Sequence, residues 1–324
     1  MQPGNAQKPG DMYMQENILV IKHGALGDFV MQSGRMKTIR ARHPTAHIAV
    51  VTEGFLKGLA EAMGLFDEVI VDSRGYNIPT WWRVIVRELA GRKWNAIYDL
   101  QSSNRTLCRY YPLALAATRH PMHWARLAKG GLVWRESSGK LPFCPWIFRN
   151  RFEPVEWLAK DLSMCHGDHA HFAELPTKYA LLIPGCSAGN VQKRWPPERY
   201  RELVKFFAAK GLKSVVMGTK AEATEINAIC DSNPDAVNFL GKSSIADIPD
   251  LANSAEIVVG NDTGPSHIAR IAGAKTVMLF TDYDYKRAAS PNERVVCLHS
   301  PEITGISVSQ VEADITRLMA DRAE

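Results

Sequence analysis

Several features that would class a chain early are missing from this one. No run of about 18 uncharged apolar residues occurs, which excludes a transmembrane helix. The six cysteines (Cys108, Cys144, Cys165, Cys186, Cys230 and Cys297) are widely spaced and include no Cys-x-x-Cys pair. They read as free thiols of a reducing cytoplasm. There is no low-complexity tract and no short repeat of solenoid period. RNA-recognition motifs are lacking, so a nucleic-acid partner is not expected. The turn after the first strand is not Gly-x-Gly-x-x-Gly, and only Glu53 is acidic near the second, which argues against a dinucleotide site. Residues 1–16, with Pro3, Gly4, Pro9 and Gly10, have no signal-peptide core and read as a flexible tail. Charge is only mildly unbalanced: the net +5 suits an anionic ligand or surface.

What is present is ordinary globular sequence, 46% hydrophobic and 23% charged over 324 residues, long enough for two cores. The first half alternates short apolar strands (18–21, 48–51, 68–71, 96–100) with helices predicted at 29–42, 55–63 and 81–90. The second half repeats that grammar. Strands are predicted at 179–183, 215–217, 257–259 and 276–280. Helices are predicted at 197–210, 221–230, 244–252, from Pro265 onward, and at 308–319. Such alternation predicts an α/β chain of two Rossmann-like, doubly wound domains with parallel sheets covered on both faces. Two such domains in tandem predict a ligand cleft at the carboxyl ends of the strands. The boundaries expected are a tail at 1–16, a first Rossmann-like domain at 17–170, a second at 171–306, and a closing helix at 307–324. Between the halves, residues 119–152 have no clean period. They hold seven Lys or Arg, one Glu, and Trp124, Trp134 and Trp146. That segment suits an anionic membrane or a phosphorylated acceptor, or equally a surface loop. Residues 153–165 read as a helix.

Three clusters carry polar groups suited to chemistry. Gly260-Asn261-Asp262-Thr263-Gly264-Pro265-Ser266-His267 follows an apolar strand and opens a helix, which makes an anion site suited to diphosphate. Thr263 can donate to phosphate, Gly264 allows close approach, and Asp262 suits loop fixing or a sugar hydroxyl. His267 is either structural or a ligand contact. In the loop from Gly185 to Pro196, Lys193 and Arg194 can offset leaving-group charge or simply face solvent. Asp28, in the glycine-rich turn after the first strand, is either a helix N-cap or a general base facing the cleft. The tract His166-Gly167-Asp168-His169-Ala170-His171 looks like a metal tract, but no partner at helical spacing supports it, and no metal site is expected.

In order along the chain, the pieces Lys22-x-Gly24-Ala25-Leu26-Gly27-Asp28, Tyr98-Asp99-Leu100-Gln101, Lys193-x-Trp195-Pro196, Leu240-Gly241 with Ser244, and Asp262-Thr263-Gly264-Pro265-x-His267 resemble glycosyltransferase family 9, the lipopolysaccharide heptosyltransferases and their relatives. The resemblance implies a GT-B enzyme that inverts and needs no metal or other cofactor. Its donor would be a nucleotide-diphosphate sugar, by default ADP-heptose, and its acceptor a lipopolysaccharide-core or related glycan. It also implies Asp28 as base and Lys193 as phosphate contact, with Ser187, Asp262, Thr263, Gly264 and His267 on the donor. Gly27, Gln101, Arg105, Arg126 and Lys129 fall on the acceptor side. A cytoplasmic location with peripheral contact to the inner membrane would follow. One departure lies after the strand ending at Phe280, where a Gly-Pro-Thr-Asp-Pro-like turn is common and this chain has Thr281-Asp282-Tyr283-Asp284-Tyr285-Lys286-Arg287. Two other readings remain: a nucleotide-sugar epimerase of similar build, and a non-catalytic nucleotide-sugar or lipopolysaccharide-binding protein.

Overall fold

A computed structural model describes residues 16–72, 83–104, 106, 109–110, 113, 123–136, 149–163, 165–167, 172–187 and 189–320. The chain forms two compact units that do not follow the expected boundaries. One comprises residues up to His23, then Thr38–Gly54 and Leu65–Glu156; the other comprises Gly24–Lys37, Phe55–Gly64 and everything from Trp157 on.

The first unit holds a sheet ordered β3-β2-β1-β4-β5-β6-β7. Strands β1 (Asn17–Ile21), β2 (His47–Thr52), β3 (Glu68–Val71) and β4 (Ala96–Asp99) are parallel and match the apolar runs of the sequence. Strands β1, β2 and β4, buried on both faces, and Ile70 of the edge strand β3 form the core with Tyr110, Leu113 and Trp124. The aperiodic segment 119–152 contributes three strands that sequence reading missed. β5 (His123–Ala128) runs parallel to β4, then turns antiparallel into β6 (Gly131–Glu136) and β7 (Arg149–Pro154). Their tryptophans are not a docking surface: Trp124 and Trp134 are buried, and Trp134 meets the Tyr98 ring edge-on. Residues 114–122 and 137–148, with Trp146, lie outside the described residues.

The second unit holds a six-stranded sheet ordered β10-β9-β8-β11-β12-β13, parallel throughout. Its strands are β8 (Tyr179–Ile183), β9 (Lys213–Gly218), β10 (Ala236–Leu240), β11 (Ile257–Asn261), β12 (Thr276–Thr281) and β13 (Val295–Ser300). The amphipathic helix Pro197–Ala208 buries Tyr200, Leu203, Val204 and Phe207 against this sheet, and Ser244 and Asp247 form the capping box that the sequence suggests. The helix Val308–Ala320 places Val311, Ile315 and Leu318 in the core of this second unit.

Two further segments differ from expectation because contacts distant in sequence claim them. The described residues of 153–165 are not helical: Glu153 and Pro154 end β7, and the chain then runs without regular structure. That run is tied down by the Leu162 N–H to Ile271 O at 3.3 Å and by Lys37 Nζ to Asp161 Oδ2 at 2.7 Å. Residues 24–37 carry helix α1 (Leu26–Val30) and the start of α2 (Ser33–Arg42), and they pack in the second unit.

Burial pushes the Asp161 carboxyl up, but hydrogen bonds from Lys37 and the Ser163 N–H and hydroxyl outweigh it and bring it down to about 2. A carboxylate lowered on folding stabilises the fold above its unfolded value near 3.9, and that contribution is lost as pH falls through the folded value. Asp161→Asn is expected to lower the melting temperature at pH 6, with the gap to wild type closing between about pH 4 and 2. A gap that does not vary with pH would refute this origin.

Candidate active site

The second sheet reverses its winding between β8 and β11, and the space beyond their carboxyl ends is where parallel sheets bind ligands. Two cavities lie there. The larger, about 490 Å³, is lined by Gly27, Asp28, Ser187, Asn190, Lys193, Asp262, Thr263, Gly264, His267, Asp284 and Arg287 among others. The smaller, about 210 Å³, is lined by Ile183, Gly185, Met217, Gly218, Thr219, Glu222, Ser244, Ile245 and Ile248 among others. Leu26, Thr263 and Pro265 border both.

Asp28 and the Asp262–His267 motif are more than 230 residues apart by subtraction, yet both belong to the second unit. Missing side chains bring them together. A Cβ on Gly264 would lie 2.8 Å from Leu26, and one on Gly27 would lie 3.4 Å from the His267 ring. Helix α1 therefore rests directly on the first turn of the helix Gly264–Ile271. Gly264, read from sequence as room for a ligand, also makes room for Leu26. Asp28 sits in the first turn of α1, not at its N-cap, which is Ala25. It is exposed and makes no hydrogen bond or ion pair among the described residues.

Around the donor motif the charges are paired. Lys193 Nζ lies 2.6 Å from Asp262 Oδ2 and 3.0 Å from Asp284 Oδ1. Burial works to lower the lysine pKa, but the two carboxylates outweigh it and raise it. Burial likewise works to raise the Asp262 carboxyl, but His267 and Lys193 outweigh it and hold it below its ordinary value. Asp262 Oδ1 meets His267 Nε2 at 2.8 Å, and His267 Nδ1 accepts from Arg270 Nε at 2.9 Å. The Thr263 side chain makes no capping bond, and Pro265 has no N–H to satisfy at the helix start.

Asn261 holds this loop to the Lys193 loop. Fully buried, it donates to Pro184 O at 2.6 Å and accepts from Tyr200 Oη at 3.0 Å and the Trp195 N–H at 3.3 Å. Trp195 is a core anchor, as the sequence suggested, with Nε1 donating to Ile306 O at 2.9 Å. Arg194 is not in the cavity: it pairs with Glu225 and donates to the Cys186 sulfur.

Asp284 and Arg287 are site residues to which the sequence assigned no role. They lie on the helix Asp282–Ala288, which replaces the expected turn and is capped by the Thr281 hydroxyl. That hydroxyl donates to Asp284 Oδ2 at 2.8 Å and so holds the carboxylate against Lys193. The signal was present as Thr-x-x-Asp, a capping pattern at the end of a strand.

The acceptor-side residues are in the first unit, apart from Gly27. Gln101 accepts from Lys22 Nζ at 2.9 Å, and Arg126 donates to Ser102 O at 2.7 Å beside Asp99. Lys129 is exposed, and Arg105 lies outside the described residues. No group of three or more His, Cys, Asp or Glu among the described residues is placed to hold a metal ion. His166 pairs with Asp250 at 2.9 Å; Asp168, His169 and His171 fall outside the described residues. No helix among the described residues is long and apolar enough to cross a membrane.

Gly264→Ala is expected to cost about 1–3 kcal/mol, the usual range for overpacking, and to push α1 off the donor motif. Thermal unfolding of the variant should begin earlier, by several degrees. Equal stability to wild type would mean that Leu26 does not depend on this glycine.

A model of glycosyltransferase family 9 (heptosyltransferase) matches residues 155–314. Lipopolysaccharide heptosyltransferase 2 of Escherichia coli strain K12 is 24% identical over 309 residues, covering 87% of this chain and 88% of the relative. The solved E. coli ADP-heptose lps heptosyltransferase II superposes with a TM-score of 0.68 at 18% identity, covering 95% of this chain and 99% of that one. A second E. coli heptosyltransferase, solved with ADP-2-deoxy-2-fluoro heptose, gives 0.68 at 15% identity, over 93% and 99% of the two chains. The fold is of the GT-B class, and residues 155–314 match glycosyltransferase family 9, the heptosyltransferase family.

Proposed function

We propose that this protein transfers heptose from ADP-heptose to a lipopolysaccharide-core acceptor, with inversion and without a metal. The observation that carries the reading is Asp28, a carboxylate with no side-chain partner among the described residues, in the same cavity as Lys193, Thr263 and an open helix start. The Asp28 carboxylate takes the proton of an acceptor hydroxyl as that oxygen bonds the anomeric carbon. The bond from that carbon to the diphosphate breaks on the opposite face, and its electron pair leaves with the phosphate oxygen. Lys193, the Thr263 hydroxyl, and N–H groups that the helix leaves unbonded in its first turn stabilise that charge. Fixed dipoles and a cation can thus replace a metal ion.

The smaller cavity suits the nucleoside. Ile183, Met217, Ile245 and Ile248 offer apolar walls for a base, and Glu222 and Ser244 offer acceptors for ribose hydroxyls. Gln101, Arg105, Arg126 and Lys129 are proposed to read the acceptor, whose phosphates suit their charge. A cytoplasmic location with peripheral contact to the inner membrane completes the reading.

Asp28→Asn keeps the side-chain shape and removes the base. It is expected to lower heptosyl transfer by about a hundredfold or more, with ADP affinity unchanged by calorimetry. Wild-type turnover in this variant would overturn the assignment. Conversion of the nucleotide sugar without any acceptor would favour an epimerase instead.

A further inference from the structure

The helix Gly264–Ile271 carries a charged residue that the reaction as described does not use. Arg270 is three positions beyond His267 and so shares its helix face. It is 8% exposed, and no carboxylate pairs with it among the described residues. Its Nε donates to His267 Nδ1 at 2.9 Å, while its second amino group reaches Met31 Sδ at 3.1 Å and Ala288 O at 3.5 Å.

That single bond decides the chemistry of the histidine. A ring nitrogen that accepts a hydrogen bond carries no proton, so the ring proton sits on Nε2. Nε2 is 2.8 Å from Asp262 Oδ1 and therefore donates to it. Oδ2 of the same carboxylate is left for Lys193 at 2.6 Å. With the opposite tautomer, a nitrogen lone pair would face Asp262 Oδ1 at 2.8 Å. The carboxylate would swing away, and Lys193 would lose one of its two anchors.

We propose that Arg270 is a positioning residue: by donating to Nδ1 it fixes the tautomer of His267, which orients Asp262 and, through it, the Lys193 ammonium that meets the diphosphate. Arg270 touches no reacting atom. Its effect passes along the buried series Arg270, His267, Asp262, Lys193. The structural part of the inference stands on these contacts; its kinetic consequence rests on the transferase reading above.

The test has two arms. In wild-type protein labelled with nitrogen-15 histidine, the ring resonances of His267 should show Nε2 protonated and Nδ1 bare. This measurement needs neither activity nor a variant. A spectrum with Nδ1 protonated, alone or together with Nε2, would overturn the proposal whatever the protein catalyses. In the second arm, Arg270→Met keeps the length of the side chain. It is expected to lower kcat about tenfold or more, the scale of one hydrogen bond to a charged group, with a smaller change in the donor KM. The His267→Gln side chain presents an amide N–H near the position of Nε2 and has no tautomer to choose. In that background, Arg270→Met should cost less than about twofold, because the coupling between the two positions is gone. A loss of equal size in both backgrounds would mean that Arg270 acts only through packing on Met31 and Ala288. If no transfer is detected in any form while the wild-type spectrum is as expected, the transferase reading fails and the tautomer assignment survives.

Discussion

The close approach of two glycine-bearing helix starts is the constraint on which the rest of the site depends. Gly27 and Gly264 each lack the atom that would hold α1 away from the helix Gly264–Ile271, and Leu26 fills the space beside them. Each helix leaves unbonded N–H groups in its first turn, and both starts border one cavity. The base candidate Asp28 is therefore positioned by packing near the donor motif, within one compact unit, and not by the strand from which its turn emerges. A single methyl group at Gly264 would change that distance, since Leu26 has three atoms at 2.8 Å from where it would sit.

Electrostatics then sets what the cavity offers. Lys193 is held by Asp262 and Asp284, so its charge is committed before any ligand arrives. Two carboxylates on one ammonium leave the group net negative, and Asp28 adds to that. Arg287, also lining the cavity, and the helix dipole oppose it. Any anion that reaches Lys193 must therefore compete with the Asp262 and Asp284 carboxylates. Asn261 makes the arrangement rigid, because it binds Pro184, Trp195 and Tyr200 together and so couples the Lys193 loop to the end of β11.

Local pattern was a good guide wherever one element sufficed. The strands at Asn17–Ile21, Tyr179–Ile183 and Ile257–Asn261 are continuous apolar runs because both their faces are buried. The capping box at Ser244 was legible because it joins residues three apart. The pattern failed where partners are remote. β5 and β6 lie where tryptophans and arginines alternate without a clear period, and burial of Trp124 and Trp134 depends on neighbouring residues such as Tyr98. Residues 153–165 carry helix-compatible composition, yet Glu153 and Pro154 pair with β6 and the bonds to Lys37 and Ile271 tie the chain beyond them in irregular structure.

The site divides in the same way. Sequence alone determined the doubly wound class, the strand-to-helix turn at Asp262–His267, and the presence of Asp28 and Lys193 in segments that follow strands, because each of these rests on residues within one turn or one strand of each other. Only the tertiary structure decided that Lys193 is shared by Asp262 and Asp284, that Arg194 points elsewhere, that Arg270 reaches Met31, and that Asp28 is a first-turn residue in the second unit. Those outcomes depend on which side chains lie within about 3 Å of one another across separations of 69 or 239 residues. Hydrogen bonds and ion pairs at that range are fixed by packing, and no periodicity in the chain encodes them.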